Sequence, residues 1–522
     1  MTRVTPFFLT FFSGVLLALA FPKINLSLLA WVAFVPLFWI IREKTPRQAF
    51  AHGWLAGMGF YLCTVYWVVE TIGLYSNIPT LVAVVPLLMM CAILASYTGA
   101  FAAGLRFHQQ RNGSILLLGP PLWVALEWMR SFFFIGFPWV NLGYSQYPFL
   151  NLIQCSEVTG VYGLSALVIF INLGIFLVWQ APKLGRGRVV LASVLLLFAL
   201  SGWGAWRRAQ LAALPPVHQL RVGLIQGNVS QDQKWDKAFQ EETLARYERL
   251  TREAATKGAE LIIWPETAVP FFFQSDLPYQ KRLLDLVREL RTPLLFGAVG
   301  WRPRNRNEVT LFNRAYLASS TGEVLGSYDK IKLAPFGEYI PFHDSFLFFL
   351  DKLVEGIGDF AAGTETTVLS LPSAKFGILI CFEGIFPDLA RRFVANGANL
   401  LVNITNDAWF GRSSAPYQHL VMEAMRAVEN RVPLVRAANT GFSAVVSLDG
   451  QIRARTSLYE TTLLVEDLAW PQVTSFYTRY GDVFAYLCAL AALGMLGYRY
   501  STTTNTTHDG GSYADRGKRE TH

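Results

Sequence analysis

Long unbroken apolar runs fill the first two hundred residues and return once near the end, while the stretch between them alternates in short strand-length bursts. The run PFFLTFFSGVLLALAF is followed at once by LSLLAWVAFVPLFWII, and further runs occupy 53–75, 79–104, 114–134, 161–179 and 188–206, with one more near 477–497. Each approaches the roughly 20 residues that a bilayer's hydrocarbon core requires. The first run lacks a small-residue cleavage site, so it reads as a span rather than a signal peptide. Pro120 and Pro121 predict a break in the fifth run, tolerated where neighbouring helices satisfy the freed backbone. The pattern predicts an α-helical membrane bundle of about eight spans: seven over 1–215 and a final helix over 471–500.

The segment 216–470 has a different texture. Apolar bursts of strand length recur as LRVGLIQ, ELIIWPE, PLLFGAV, AYLAS, FGILICFE, ANLLVNIT and FSAVVSL. Charged helical stretches such as QEETLARYERLTREAATK and LPYQKRLLDLVRELR lie between several of them, and in the second Leu283, Leu284, Leu286 and Val287 recur at near-helical spacing. Strands alternating with amphipathic helices predict an α/β layered domain. The tail 501–522, rich in Thr, Gly and Ser, reads as disordered.

Composition narrows the class further. Of 522 residues, 52% are hydrophobic and only 16% charged, which excludes a disordered chain and a wholly soluble globule. The net charge of +8 would fit nucleic acid in a soluble protein. In a membrane protein it belongs to loops held in the cytoplasm, so nucleic acid is not an expected partner. Arg42, Lys44 and Arg47, then Arg106 and Arg111, then Lys183, Arg186 and Arg188 mark alternate loops, and Arg516, Lys518 and Arg519 mark the tail. Both termini are therefore expected in the cytoplasm and 216–470 outside it, although Arg207 and Arg208 run against that trend. Of five cysteines, only Cys381 lies in the polar part of the chain; with no CxxC pair and no metal-ligand histidine spacing, neither a disulfide framework nor a metal site is expected.

Three segments place a reactive side chain directly after an apolar strand or in a Pro/Gly-rich loop, where a sheet presents its chemistry. They are IIWPETAVP with Glu266, YDKIKLAPFGEY with Lys330 and Glu338, and ILICFEGIFPD with Cys381 and Glu383. A thiol attacks well only as thiolate, so Cys381 needs a cation and a base nearby. Lys330 can supply the first and Glu266 the second; a Cys–His pair with His419 is the weaker alternative. Taken singly, Cys381 reads as a core residue, Glu266 as a helix cap and Lys330 as a solvated loop charge. Their joint occurrence, in this order, carries the chemistry.

This set closely resembles the nitrilase, or carbon–nitrogen hydrolase, superfamily over about 220–465, which implies an αββα sandwich with Glu266 as general base, Lys330 as cationic stabiliser and Cys381 as nucleophile. It also implies supporting places for Glu338 and Glu383. Such a domain set between membrane spans resembles the apolipoprotein N-acyltransferase family of bacterial inner membranes. LIQGNVSQDQKW with Trp235, WPETAVP, KLAPFGEYIPF, CFEGIFP and NDAWFG all fit it. Phe382 stands where many relatives carry Tyr, so only its backbone N–H is assigned a role, beside Lys330 at a developing oxyanion. The resemblance implies a phospholipid acyl donor, a diacylglyceryl-apolipoprotein acceptor, a thioester on Cys381 and no cofactor. It also implies an inner-membrane location with the catalytic domain on the periplasmic side.

Access to lipid is the remaining requirement. Phe342, Phe346 and Phe348 lie in a near-continuous aromatic run after the Lys330 motif, and Phe271, Phe272 and Phe273 follow WPETAVP; both are read as lids at a lipid entrance. Asn403, Asn406, Asp407 and Trp409 are candidates for the pocket wall, as are Arg436 and Asn439. Glu70, Glu127 and Arg130, expensive if they face lipid, are expected at the water boundary. The competing function is a membrane-tethered amidase that hydrolyses an extracytoplasmic C–N bond. A tether would need only one span, and a transporter reading lacks an inverted repeat.

Overall fold

A computed structural model describes residues 5–509 other than 76–78, 134–135, 181–182, 232–235, 306–307, 336 and 340–359. Trp235, Phe342, Phe346 and Phe348 lie outside the described residues. The membrane half carries α1 (Thr5–Ala18), α2 (Val35–Ile41), α3 (Pro46–Thr64), α4 (Trp67–Tyr75), α5 (Thr80–Gln109), α6 (Ile115–Arg130), α7 (Ser156–Thr159), α8 (Tyr162–Gln180) and α9 (Lys183–Ala213). Among the described residues, four helices are long and apolar enough to cross a membrane: Leu81–Gln109, Tyr162–Gln180, Gly187–Ala213 and Val483–Tyr500. The pair α3 and α4, bent by 52°, makes a fifth when counted as one span. Length and composition thus do not reproduce the eight expected spans. The two N-terminal runs form shorter helices, because the chain turns through 19–34 instead of continuing.

Two expectations for this half are corrected. Pro120 and Pro121 do not break their run, since both lie inside the continuous helix α6. They come only six and seven positions into it, so the hydrogen bonds they remove involve carbonyls of its first turn. Glu127 and Arg130 are not exposed to water but buried at the end of α6. Glu127 accepts the Leu142 N–H at 2.6 Å. Arg130 donates to the Trp139 carbonyl at 3.2 Å, to Asn141 and to the Tyr61 hydroxyl, so the two charges tie down the 139–142 segment. Glu70 is exposed.

The polar segment folds into two six-stranded sheets. The first contains β1 (His218–Gln226), β2 (Leu261–Ile263), β3 (Leu294–Pro303), β4 (Val309–Ala318) and β5 (Val324–Asp329), joined at its edge by the last strand of the domain in the order β12-β1-β2-β3-β4-β5. The second contains β6 (Val368–Leu371), β7 (Ala374–Ile380), β8 (Leu400–Thr405), β9 (Leu434–Ala438), β10 (Ala444–Val446) and β11 (Ile452–Arg455), in the order β11-β10-β9-β8-β7-β6; β12 is Thr462–Trp470. The central pairs β1–β2–β3 and β7–β8–β9 are parallel. Parallel neighbours need long crossovers, and helices α10 (Lys237–Thr256), α11 (Leu277–Leu290), α12 (Pro387–Ala395) and α13 (Ala415–Asn430) provide them. In α11, Leu283, Leu286 and Val287 are the buried face that the spacing predicts. Two short-strand sheets with helices outside them form the nitrilase-like α/β sandwich.

Helix α13 shows how this domain meets the membrane half. All its residues except Tyr417 are buried, including His419, Glu423, Arg426 and Glu429. Gln418 accepts from Trp139 Nε1 at 2.7 Å and donates to the Pro22 and Thr64 carbonyls at 3.2 and 3.1 Å. Arg426 reaches the Tyr144 hydroxyl at 2.8 Å, and Arg431 reaches Gln154 Oε1 at 2.7 Å and the Glu157 carboxylate. Arg207 pairs with Glu157 at 3.0 Å and Arg208 with Asp449 at 2.9 Å. The two arginines that disturbed the loop-charge pattern are thus bound into this junction. After α14 (Phe476–Tyr480), α15 (Val483–Asp509) continues past the expected end at 500, so the start of the expected disordered tail is helical.

Candidate active site

The strand-end motifs bring Glu266, Lys330 and Glu338 into ion-pair contact and leave Cys381 close enough to feel the charges of Glu266 and Lys330. After β2, Trp264 continues the ladder by donating to the Leu295 carbonyl at 2.8 Å, and its indole is held by Thr251 at 2.8 Å. The chain then turns at Glu266 and Thr267 against Gly297 of β3. A Cβ at Gly297 would lie 2.5 Å from the Thr267 nitrogen and 2.7 Å from the Pro265 carbonyl, so a side chain there would push the Glu266 loop away. Lys330 follows Asp329, the last residue of β5, which Arg314 and Arg302 hold by ion pairs. Cys381 follows β7 with φ of +51°, the left-handed region that non-glycine residues seldom occupy outside turns and functional sites.

Lys330 is 1% exposed, and Glu266 and Cys381 are each 6% exposed. Lys330 Nζ lies 3.4 Å from Glu266 Oε1 and 2.8 Å from Glu338 Oε2. Burial opposes the lysine charge, but Glu338 and Glu266 outweigh it and hold the ammonium above its usual range. Asn313 of β4 donates from one amide nitrogen to both carboxylates, at 2.7 Å each. The other Glu266 oxygen accepts the Asn406 backbone N–H at 3.0 Å. Burial and the Glu266 charge push the Cys381 thiol up, while Lys330 and the Thr405 hydroxyl pull it down less strongly. The balance favours the thiol form over the thiolate.

Glu383 has a structural place. It accepts N–H groups from Ile331 at 2.7 Å, Lys332 at 3.0 Å and Ile380 at 2.8 Å, and the Tyr328 hydroxyl at 2.8 Å. It thereby binds the lysine loop to the strand that carries Cys381; burial raises its carboxyl to about 7. Asn406 enters the site through its backbone, while its side chain bonds Gln231, Ala408 and Asn439 at 2.8, 3.3 and 3.0 Å. Trp409 is half-buried in the turn Asp407–Phe410. His419 does not pair with the thiol: its Nε2 lies 3.2 Å from the Cys381 carbonyl and its Nδ1 3.2 Å from Asp407. Phe271 and Phe273 are core residues of the first sheet rather than lids, packed on Tyr279 and Phe296, because their turn folds inward. Phe272 stays 42% exposed.

A line of aromatic rings joins this point to the membrane half. Phe382 stacks on Phe137 at 6.4 Å and Phe137 on Trp139 at 5.8 Å, and Trp67 lies 4.9 Å from both Trp139 and Phe410. The residue that sequence reasoning missed is Asn313. Its one signal was an amide placed among the apolar positions of VTLFNRAYLA.

Residues 13–174 match the family model described as the apolipoprotein N-acyltransferase N-terminal domain, and 221–477 match the carbon-nitrogen hydrolase model. The chain is 45% identical to the apolipoprotein N-acyltransferase of Geobacter metallireducens over 92% of each protein. It is 32% identical to that of Chlorobaculum tepidum over 94% of this chain and 96% of the relative. Among solved structures it is similar to an amidase from Nesterenkonia sp., at 23% identity and a TM-score of 0.39, over 52% of this chain and 96% of that one. With both halves matched in order and nearly the full length aligned to curated relatives, the chain belongs to the apolipoprotein N-acyltransferase family.

Proposed function

We propose that this protein transfers a fatty acyl chain from a membrane phospholipid to the N-terminal amino group of a diacylglyceryl-cysteine on an apolipoprotein, by way of a thioester on Cys381. Family membership supports lipoprotein N-acylation. The observation that supports the mechanism is a buried ammonium held between two carboxylates, with a buried thiol near enough to feel the charges of Lys330 and Glu266.

In the first half-reaction, Cys381 Sγ attacks the ester carbonyl carbon while Glu266 takes the thiol proton. Negative charge moves from the carboxylate to the new tetrahedral oxygen, where Lys330 and the Phe382 N–H stabilise it; one such donor typically contributes about 3 kcal/mol. Glu338 stays beside Lys330 as counter-ion. The C–O bond then breaks, and the proton on Glu266 passes to the departing lysophospholipid oxygen. In the second half-reaction Glu266 removes a proton from the incoming amine, which attacks the thioester. The C–S bond breaks, the sulfur regains its proton, and the amide is released. Two products leaving in sequence from one sulfur give ping-pong kinetics.

The location we infer is the bacterial inner membrane, with the catalytic domain on the periplasmic side, both termini cytoplasmic and eight crossings in all. Labelling single cysteines placed at exposed positions 43 and 257 with a membrane-impermeant thiol reagent tests it: reaction from outside is expected at 257 alone. The aromatic line from Phe382 to Trp67 supports an apolar substrate over the small amide of the tethered-amidase reading. Initial rates over a grid of phospholipid and diacylglyceryl-peptide concentrations decide between the two. Parallel double-reciprocal lines are expected; release of free fatty acid without any peptide product would favour hydrolysis.

A further inference from the structure

Beneath the nucleophile lies a closed polar cluster that the acyl-transfer chemistry does not use. Asp407, His419, Glu423 and Arg436 are each 1% exposed or less. Arg436 binds Asp407 Oδ2 at 2.5 Å, the Glu423 carboxylate, and the Phe442 carbonyl at 3.0 Å. The His419 ring faces acceptors at Nε2: the Cys381 carbonyl at 3.2 Å and Glu423 Oε1 at 2.9 Å. That nitrogen must therefore carry a proton, whichever way the ring is otherwise protonated. At Nδ1 it meets Asp407 Oδ1 at 3.2 Å and Arg436 at 3.3 Å. With two carboxylates against one guanidinium, a second ring proton makes the buried cluster neutral, and Glu423 and Asp407 hold the ring above its usual value against the opposing effect of burial. Trp139 of the membrane half covers the ring with centroids 5.7 Å apart, within reach of a cation–π contact.

The Cys381 carbonyl also receives Asn403 Nδ2 at 3.2 Å, so two buried donors fix its direction. That carbonyl and the Phe382 N–H belong to one peptide group. In a planar trans peptide the two point in opposite directions, so clamping one aims the other. We propose that His419, together with Asn403, is a positioning residue that aims the Phe382 N–H at the developing oxyanion by holding the Cys381 carbonyl in the buried cluster. This rests on the reading that the Phe382 N–H serves the oxyanion. It also gives the membrane half a route to the chemistry, since Trp139 packs on the ring and binds the neighbouring Gln418.

The test compares two reactions of the same sulfur in the full-length protein. Acylation by phospholipid develops an oxyanion, whereas alkylation by iodoacetamide does not. His419→Leu and Asn403→Leu each remove one donor, and each is expected to slow formation of acyl-Cys381 roughly 10- to 100-fold, a part of what loss of a whole oxyanion donor does. Alkylation of Cys381 should stay within about twofold of wild type. His419→Gln, whose amide can donate to the same carbonyl, should recover most of the acylation rate. Where His419→Leu is too unstable to assay, Asn403→Leu decides. Equal losses in both reactions would reduce the cluster to scaffolding, and unchanged acylation in Asn403→Leu would overturn the inference outright. Should the wild-type protein alkylate normally yet never acylate, the transfer reading itself fails, and this inference with it.

Discussion

Lys330 lies closer to Glu338, at 2.8 Å, than to Glu266, at 3.4 Å. In the proposed mechanism the nearer carboxylate offsets most of the ammonium charge, and the farther one, Glu266, takes the thiol proton. Replacing Glu338 with Gln should draw the lysine onto Glu266 and weaken it as a base. Single-turnover acylation of Cys381 is expected to slow roughly 100-fold, the lower range for loss of general-base assistance. A rate within threefold of wild type would contradict this division of roles.

Acid stability follows from the buried cluster. Burial works to raise the Asp407 carboxyl, but Arg436 and His419 outweigh it and pull it down to about 2 from 3.8. A depressed folded value stabilises the protein above the unfolded value and loses that contribution as pH falls. Through this group wild type should lose about 2 kcal/mol between about pH 4 and pH 2. Asp407→Asn should start less stable at pH 7 and show a correspondingly flatter profile over that acid range. Thermal melts in detergent at several pH values check both features.

The junction between the halves depends on Arg431, which is wholly buried against Glu157 and Gln154. Arg431→Met leaves Glu157 buried with Arg207 as its remaining partner. Removing one member of a buried ion pair typically costs about 3–5 kcal/mol, so the melting temperature should drop clearly. Acylation by protein that remains folded should be near wild type, because the partners of Arg431 are Glu157, Gln154 and the Leu448 carbonyl rather than Glu266, Lys330 or Cys381.

Phe346 and Phe348, outside the described residues, belong to the aromatic run whose sequence reads as a lid at a lipid entrance. Burying one such side chain is worth roughly 1.5–3 kcal/mol. Changing both to Ser should raise the KM for phospholipid vesicles roughly 10- to 100-fold with little change in melting temperature. A large drop in melting temperature instead would assign the two rings to the domain core.

The parts of this molecule legible in the chain were those set by local pattern. A strand followed by a turn exposes its next residue, which is why Glu266, Lys330 and Cys381 stood out, and α11 showed its buried face through spacing alone. Partners brought together by the fold were not legible. Asn313 meets Glu266 across 47 residues, and Arg431 meets Gln154 across 277. The burial of the charges on helix α13 has no local signal, because partners such as Tyr144 come from another part of the chain. Helix length alone does not recover the expected number of spans for a related reason: hydropathy measures how apolar a run is, but not where the chain turns within it.

The central claim is that one sulfur carries the acyl group between donor and acceptor. The most direct measurement incubates the purified full-length protein with phospholipid of defined chains, without acceptor, and maps added mass by peptide mass spectrometry. The account predicts one acyl group on the peptide containing Cys381, removed by neutral hydroxylamine, discharged by a diacylglyceryl peptide and absent from Cys381→Ser. Acyl peptide product formed by Cys381→Ser at the wild-type rate, or an adduct on another residue that the acceptor discharges, would contradict it.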